Sequence, residues 1–242
     1  MAQTGFEYLA FGPEEGQPKK LIVLLHGYGR NAHYMKKMAD AARAAVPDAL
    51  VICPHGPEPL DTAAMGGDDK KHFLHIPQDA KDSSGGDDPS LRRQWFRIDG
   101  RPADLMPRLE AAAAELNLFI DHQRDMLGIK DKDIVLMGFS QGGGLALYTA
   151  FTRAHDLAGM VCHSSIVIQK TPDSKMISRP ETYYIYGTMD PEFPQARFRD
   201  TFNWLQKYTG GKATEQTIKK MGHYTNAESR RHCADFMKKV LA

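Results

Sequence analysis

The segment Gly138-Phe139-Ser140-Gln141-Gly142 constrains what this chain can fold into more than any other stretch of it. It ends an apolar run, Asp133 to Phe139, and opens a stretch of helical period, so the backbone must pass from strand to helix through one sharp turn centred on Ser140. In such a turn the residues two before and two after the serine nearly touch. Glycine at both places removes the clash, and Gly143 and Gly144 continue the close approach of helix to strand. The turn lifts the serine hydroxyl above the edge of a sheet, where a nucleophile is reached from outside. A serine that only caps the following helix is the plainer alternative.

The rest of the chain supplies a sheet for that turn. Short aliphatic and β-branched runs alternate with longer helical segments, the pattern of an α/β protein whose mostly parallel central sheet is flanked by helices. The strands are expected at Lys20 to His26, Ala49 to Pro54, Asp133 to Phe139, Gly159 to Val167, Thr182 to Gly187 and Ala213 to Lys219, with Phe6 to Phe11 as an added edge strand. Leu105, Leu109, Ala112, Ala113, Leu116, Ile120 and Leu127 mark one face of a helix near residues 103 to 127, with Pro102 and Asp104 at its start. Other helices are expected near 31 to 46, 141 to 154, 194 to 208 and 225 to 241. Residues 57 to 94, rich in Gly, Asp, Pro, Ser and Lys, interrupt the alternation and read as a long surface loop. Its apolar patch of Phe73, Leu74 and Ile76 suits either a lid over an acyl chain or a simple anchor.

A serine hydroxyl is a weak nucleophile near neutral pH. It needs a histidine to take its proton and a carboxylate to hold that histidine in the right tautomer. On a sheet of this kind the order along the chain is Ser, then Asp or Glu, then His. Asp190 follows the strand Thr182 to Gly187 in YGTMDPEFP, and His223 follows the last strand in MGHYTN. Glu192 is the substitute for Asp190, and His163, also after a strand, is the rival of His223. Negative charge on a carbonyl oxygen calls for backbone N–H donors aimed in advance. The amide of Gln141, after the serine, is one; the amide of Tyr28, in the glycine-rich His26-Gly27-Tyr28-Gly29 turn, is the other.

Composition narrows the remaining options. The 242 residues fit one domain over 1–242 without needing a second. Lysine and arginine number 31 against 30 acidic residues, a balance that argues against nucleic acid as a partner. No basic cluster precedes an apolar stretch near Met1, and no run approaches membrane-spanning length, so a cytoplasmic protein without a stable membrane anchor is expected. Cys53, Cys162 and Cys233 lack CxxC spacing and read as free buried thiols. No metal spacing and no phosphate-binding glycine motif follows a strand, so no metal and no cofactor is expected.

Taken together, LLHGYG, GFSQGG, YGTMDP and the final GH match in order and spacing, and the chain resembles the phospholipase/carboxylesterase family, which includes the acyl-protein thioesterases. The resemblance spans Leu21 to Leu241. It implies the α/β-hydrolase fold and a cytosolic serine carboxylic-ester hydrolase for short to medium acyl esters or thioesters, lysophospholipids among them. Ser140, Asp190 and His223 are its implied triad, and the amides of Tyr28 and Gln141 its oxyanion hole. Arg93-Gln94-Trp95-Phe96 looks like the family's aromatic segment, and Trp95 and Phe73 are the expected substrate contacts. The implied partner is a small-molecule ester or acylated substrate, and a homodimer is left open. Residues 57 to 94, Cys162-His163-Ser164-Ser165 and Tyr224-Thr225-Asn226 depart from the family pattern. A peptidase or acyltransferase on the same fold, or a binding protein without catalysis, are the competing readings.

Overall fold

The computed structural model describes residues 5–60, 91–168 and 175–242. Its strands are β1 Tyr8–Phe11, β2 Lys20–Leu25, β3 Ala49–Pro54, β4 Glu58–Pro59, β5 Arg93–Gln94, β6 Ile134–Phe139, β7 Gly159–His163, β8 Glu181–Gly187 and β9 Ala213–Ile218. The helices are α1 Lys36–Ala45, α2 Leu105–Leu127, α3 Gln141–Thr152, α4 Gln195–Thr209 and α5 Ala227–Leu241.

Seven strands form one sheet in the order β1-β3-β2-β6-β7-β8-β9, while β4 and β5 pair antiparallel by themselves. Every pairing from β3 to β9 across the large sheet is parallel; β1 alone runs antiparallel, along the outer edge of β3. This is the expected mostly parallel sheet. Alternation within β2 shows why helices cover both faces. Leu21, Val23 and Leu25 point into one apolar layer with α2, α3 and α4, and Ile22 and Leu24 into the other with α1 and α5. All five side chains are fully buried, as strands covered on both faces require.

The strand order also predicts where a ligand should bind. From β2 the chain first adds β3 on one side, then returns to place β6 on the other, so the direction of winding reverses between β2 and β6. A crevice opens outside the C-terminal ends of strands at such a reversal. Gly27 and Tyr28 follow β2, and Ser140 follows β6 at that point.

Two expectations need correction. β7 ends at His163 and not at Val167, because Ser164 adopts φ 48° and turns the chain out of the sheet. The loop expected over 57 to 94 contains the β4–β5 pair at its two ends; the lid reading and Phe73 lie outside the described residues. The three cysteines are free and buried, as expected. Among the described residues no helix is long and apolar enough to cross a membrane.

Candidate active site

Ser140 stands between β6 and α3 with φ 53° and ψ −121°, a conformation that strains a residue bearing a side chain. The neighbouring strand holds it there: the Ser140 amide donates to the His163 carbonyl at 2.9 Å. The amides of Gly143 and Gly144 bond back to the Ser140 carbonyl at 2.8 and 3.1 Å and start the helix. A Cβ on Gly138 would overlap the Gly142 carbonyl, and a Cβ on Gly142 would overlap the carbonyl of His26. The glycine spacing thus reflects a close approach between β6, α3 and the turn after β2.

The loops after β8 and β9 are knitted together and carry the other two groups. Thr188 donates its amide to the Ile218 carbonyl, and Met189 to the Met221 carbonyl, each at 3.0 Å. Asp190 and His223 are thereby held side by side. The Nδ1 of His223 lies 2.8 Å from Asp190 Oδ2, and its Nε2 lies 2.8 Å from Ser140 Oγ. A carboxylate only accepts, so Nδ1 carries the hydrogen and Nε2 is left to accept from the serine hydroxyl. The Asp190 side chain is wholly buried, and its other oxygen accepts the Glu192 amide at 2.9 Å. Glu192 therefore contributes its backbone to this carboxylate, and its side chain is not needed as the substitute. The imidazole of His223 is flanked by Phe139 and Phe193, with ring centroids at 5.0 and 5.8 Å.

The rival histidine is elsewhere. His163 is fully buried in β7, its Nδ1 lies 3.1 Å from Ser164 Oγ, and burial pushes its pKa down to about 3. It meets Ser140 through its backbone carbonyl.

The turn after β2 packs directly on the elbow. A Cβ on Gly27 would stand 2.9 Å from the Phe139 ring and 3.1 Å from the Ser140 Cβ. Tyr28 is the next residue along this turn. Gln141 is the first residue of α3, and the first amides of a helix have no carbonyl one turn back to bond. The two expected donors belong to two different segments, the turn after β2 and the first turn of α3.

Trp95 is not where a substrate contact would be. It is 2% exposed, and its indole N–H donates to the His26 carbonyl at 2.7 Å. Its ring also leans on the His26 imidazole, centroids 4.9 Å apart. The side chain of Gln141 has a role that its sequence position does not announce: its Oε1 accepts the Trp95 amide at 3.1 Å and its Nε2 donates to the Phe96 carbonyl at 2.7 Å. His26, in sequence only part of a turn, has one as well. It donates from Nδ1 to the Gly27 carbonyl and accepts the Gly56 amide at Nε2, both at 2.8 Å, which fixes the neutral tautomer. Burial pushes its pKa down to about 3. A histidine at the end of an apolar strand, ahead of the glycine turn, is the one signal the sequence offers for it.

Comparison with known proteins agrees with this architecture. The phospholipase/carboxylesterase family profile matches residues 8–82 and 85–241. Acyl-protein thioesterase 1 of Kluyveromyces lactis is 27% identical over 179 residues, covering 70% of this chain and 77% of that protein. Among solved structures, esterase PE8 superposes with a TM-score of 0.78 at 22% identity, covering 98% of this chain and 99% of its own. The Bacillus cereus carboxylesterase superposes with a TM-score of 0.70 at 18% identity, covering 98% and 95%. At such identities the two structures speak for the fold alone, and the α/β-hydrolase fold is common to all. With the profile spanning nearly its full length, this chain belongs to the phospholipase/carboxylesterase family.

Proposed function

We propose that this protein is a cytoplasmic serine esterase, one α/β-hydrolase domain over 1–242, that cleaves short to medium acyl esters or thioesters through an acyl-enzyme on Ser140. Family membership makes it a hydrolase of the esterase and thioesterase type. The observation that carries the finer reading is the unbroken chain of two 2.8 Å contacts from Ser140 Oγ through His223 to Asp190. Its three free, buried thiols suit a reducing compartment.

The reaction runs in two steps. As Ser140 Oγ adds to the acyl carbon, His223 Nε2 takes the hydroxyl proton, and the buried Asp190 carboxylate stabilises the imidazolium that results. The oxyanion accepts hydrogen bonds from the amides of Tyr28 and Gln141. Collapse breaks the bond to the leaving oxygen or sulfur, which receives the proton from Nε2. Water then enters, loses a proton to Nε2 as it attacks the acyl-enzyme, and releases the carboxylic acid; the proton returns to Ser140 Oγ.

The test is hydrolysis of p-nitrophenyl acetate, butyrate and octanoate beside the matching acyl thioesters, with Ser140→Ala as control. The reading expects turnover of both classes and a loss of about 10⁴-fold or more in the variant, the scale of triad deletions. Retention of more than a tenth of the rate by Ser140→Ala would remove Ser140 from the mechanism.

A further inference from the structure

The two oxyanion donors belong to segments far apart in the chain, the turn after β2 and the first turn of α3, and a third segment ties them together. Residues 93–96 bond to both. On one side, the Gly29 amide donates to the Arg93 carbonyl at 2.9 Å, the Arg93 amide donates to the Arg30 carbonyl at 3.0 Å, and the Trp95 indole N–H donates to the His26 carbonyl at 2.7 Å. On the other, the Gln141 carboxamide bridges the Trp95 amide and the Phe96 carbonyl at 3.1 and 2.7 Å. Each of these side-chain bonds is made to backbone, so each fixes a chain path and not a side-chain contact. His26 completes the clamp by holding its own Gly27 carbonyl and the Gly56 amide, both at 2.8 Å.

We propose that the side chains of Trp95, Gln141 and His26 are positioning residues that set the separation and aim of the Tyr28 and Gln141 amides toward the oxyanion. The inference rests on the reading of Ser140 given above. Its physical ground is that an oxyanion donor acts only when it is within hydrogen-bond reach of the charge that develops, and losing one such donor outright costs about 10²–10³ in kcat. Removing a tie between the two segments leaves both amides present but free to drift. The loss should then fall on the transition state and spare ground-state binding.

Two variants keep both donor amides. Trp95→Phe retains an aromatic ring against His26 and deletes the indole N–H; Gln141→Met keeps the side-chain length on a partly exposed helical residue and deletes both bridging bonds. The assays are kcat and KM for p-nitrophenyl butyrate, the affinity for butylboronic acid, whose adduct on Ser140 presents a tetrahedral oxyanion, and the affinity for butyrate. We expect kcat to fall at least about tenfold with KM within about twofold, and boronate affinity to fall in step while butyrate affinity holds. Gln141→Met decides the matter if Trp95→Phe does not fold. Wild-type kcat in a folded variant overturns the inference, and so does an equal loss of boronate and butyrate affinity, which marks general loosening. A wild-type protein that neither hydrolyses the ester nor takes the boronate overturns the reading of Ser140, and this inference with it.

Discussion

Acidification should destabilise this protein well before its carboxylates protonate, because two histidines are buried in the neutral form. His26 lies at the turn after β2 and His163 inside β7; each is fully buried, and each pKa is pushed from 6.5 to about 3, with burial the largest cause. In the unfolded chain both take up a proton near pH 6.5, while the folded chain excludes it down to about pH 3. The unfolded state therefore binds more protons throughout that window, so the stability present above pH 6.5 is lost as the pH falls. Each site contributes at most about 1.4 kcal/mol per pH unit. Between about pH 7 and 4.5 that amounts to about 2 to 3 kcal/mol per histidine and about 5 kcal/mol for both, a large share of the roughly 5–15 kcal/mol that holds a domain folded. His55, half-buried and lowered for the same reason, adds a smaller contribution in the same direction. Asp131, Asp133 and Asp156 are held below the usual carboxylate range, so their loss comes later, in more acid solution. Urea unfolding followed by tryptophan fluorescence at half-unit steps from about pH 7 to 4.5 reads the slope directly, and His163→Gln should remove close to half of it. A flat stability profile over that range, or an identical slope in His163→Gln, would refute the assignment of two buried neutral histidines.

Three further outcomes follow from the geometry. Ser140→Gly should raise stability by about 1 kcal/mol in urea, because relief of the strained backbone outweighs the entropy glycine brings to the unfolded chain; a destabilised glycine variant would contradict the strain. Asp190→Asn should lower kcat by about 10³–10⁴ with little change in KM, since the amide favours the wrong tautomer of His223, and steady-state kinetics on p-nitrophenyl butyrate checks it. Arg153→Met should cost about 1–3 kcal/mol. The arginine reaches Asn117 and Asp121 at 2.7 Å and also bonds Asp131, so its loss leaves that nearly buried carboxylate with Arg124 at 3.1 Å as its remaining arginine; a thermal melt unchanged from wild type would exclude that role.

Periodicity and chain order carry most of the fold. Ala49–Pro54 appears with the expected bounds, and the strands near Lys20, Asp133, Thr182 and Ala213 shift by a residue or so at their ends. β7 stops short of its expected end because Gly159 to Val167 looks continuous by hydropathy, and nothing in His163-Ser164-Ser165 announces that Ser164 will take a positive φ. Asp190 and His223 are legible from their positions after strands, since parallel strands deliver their C-terminal loops to one edge. Trp95 is not, because an aromatic beside such motifs reads the same whether it faces a ligand or supports a loop; what separates the two is the bond from its indole to the His26 carbonyl. The side chain of Gln141 is hidden for a related reason: its backbone amide already has a role, and its bonds reach a segment 45 residues away in sequence.

The central claim is that Ser140, activated by His223, is the nucleophile. Incubation with a fluorophosphonate, followed by intact-mass measurement and peptide mapping, tests it most directly. The account predicts one adduct per chain, on Ser140, absent from Ser140→Ala and strongly slowed in His223→Gln. Ester hydrolysis that continues with no adduct on Ser140, or an adduct on another residue that tracks the loss of activity, would contradict it.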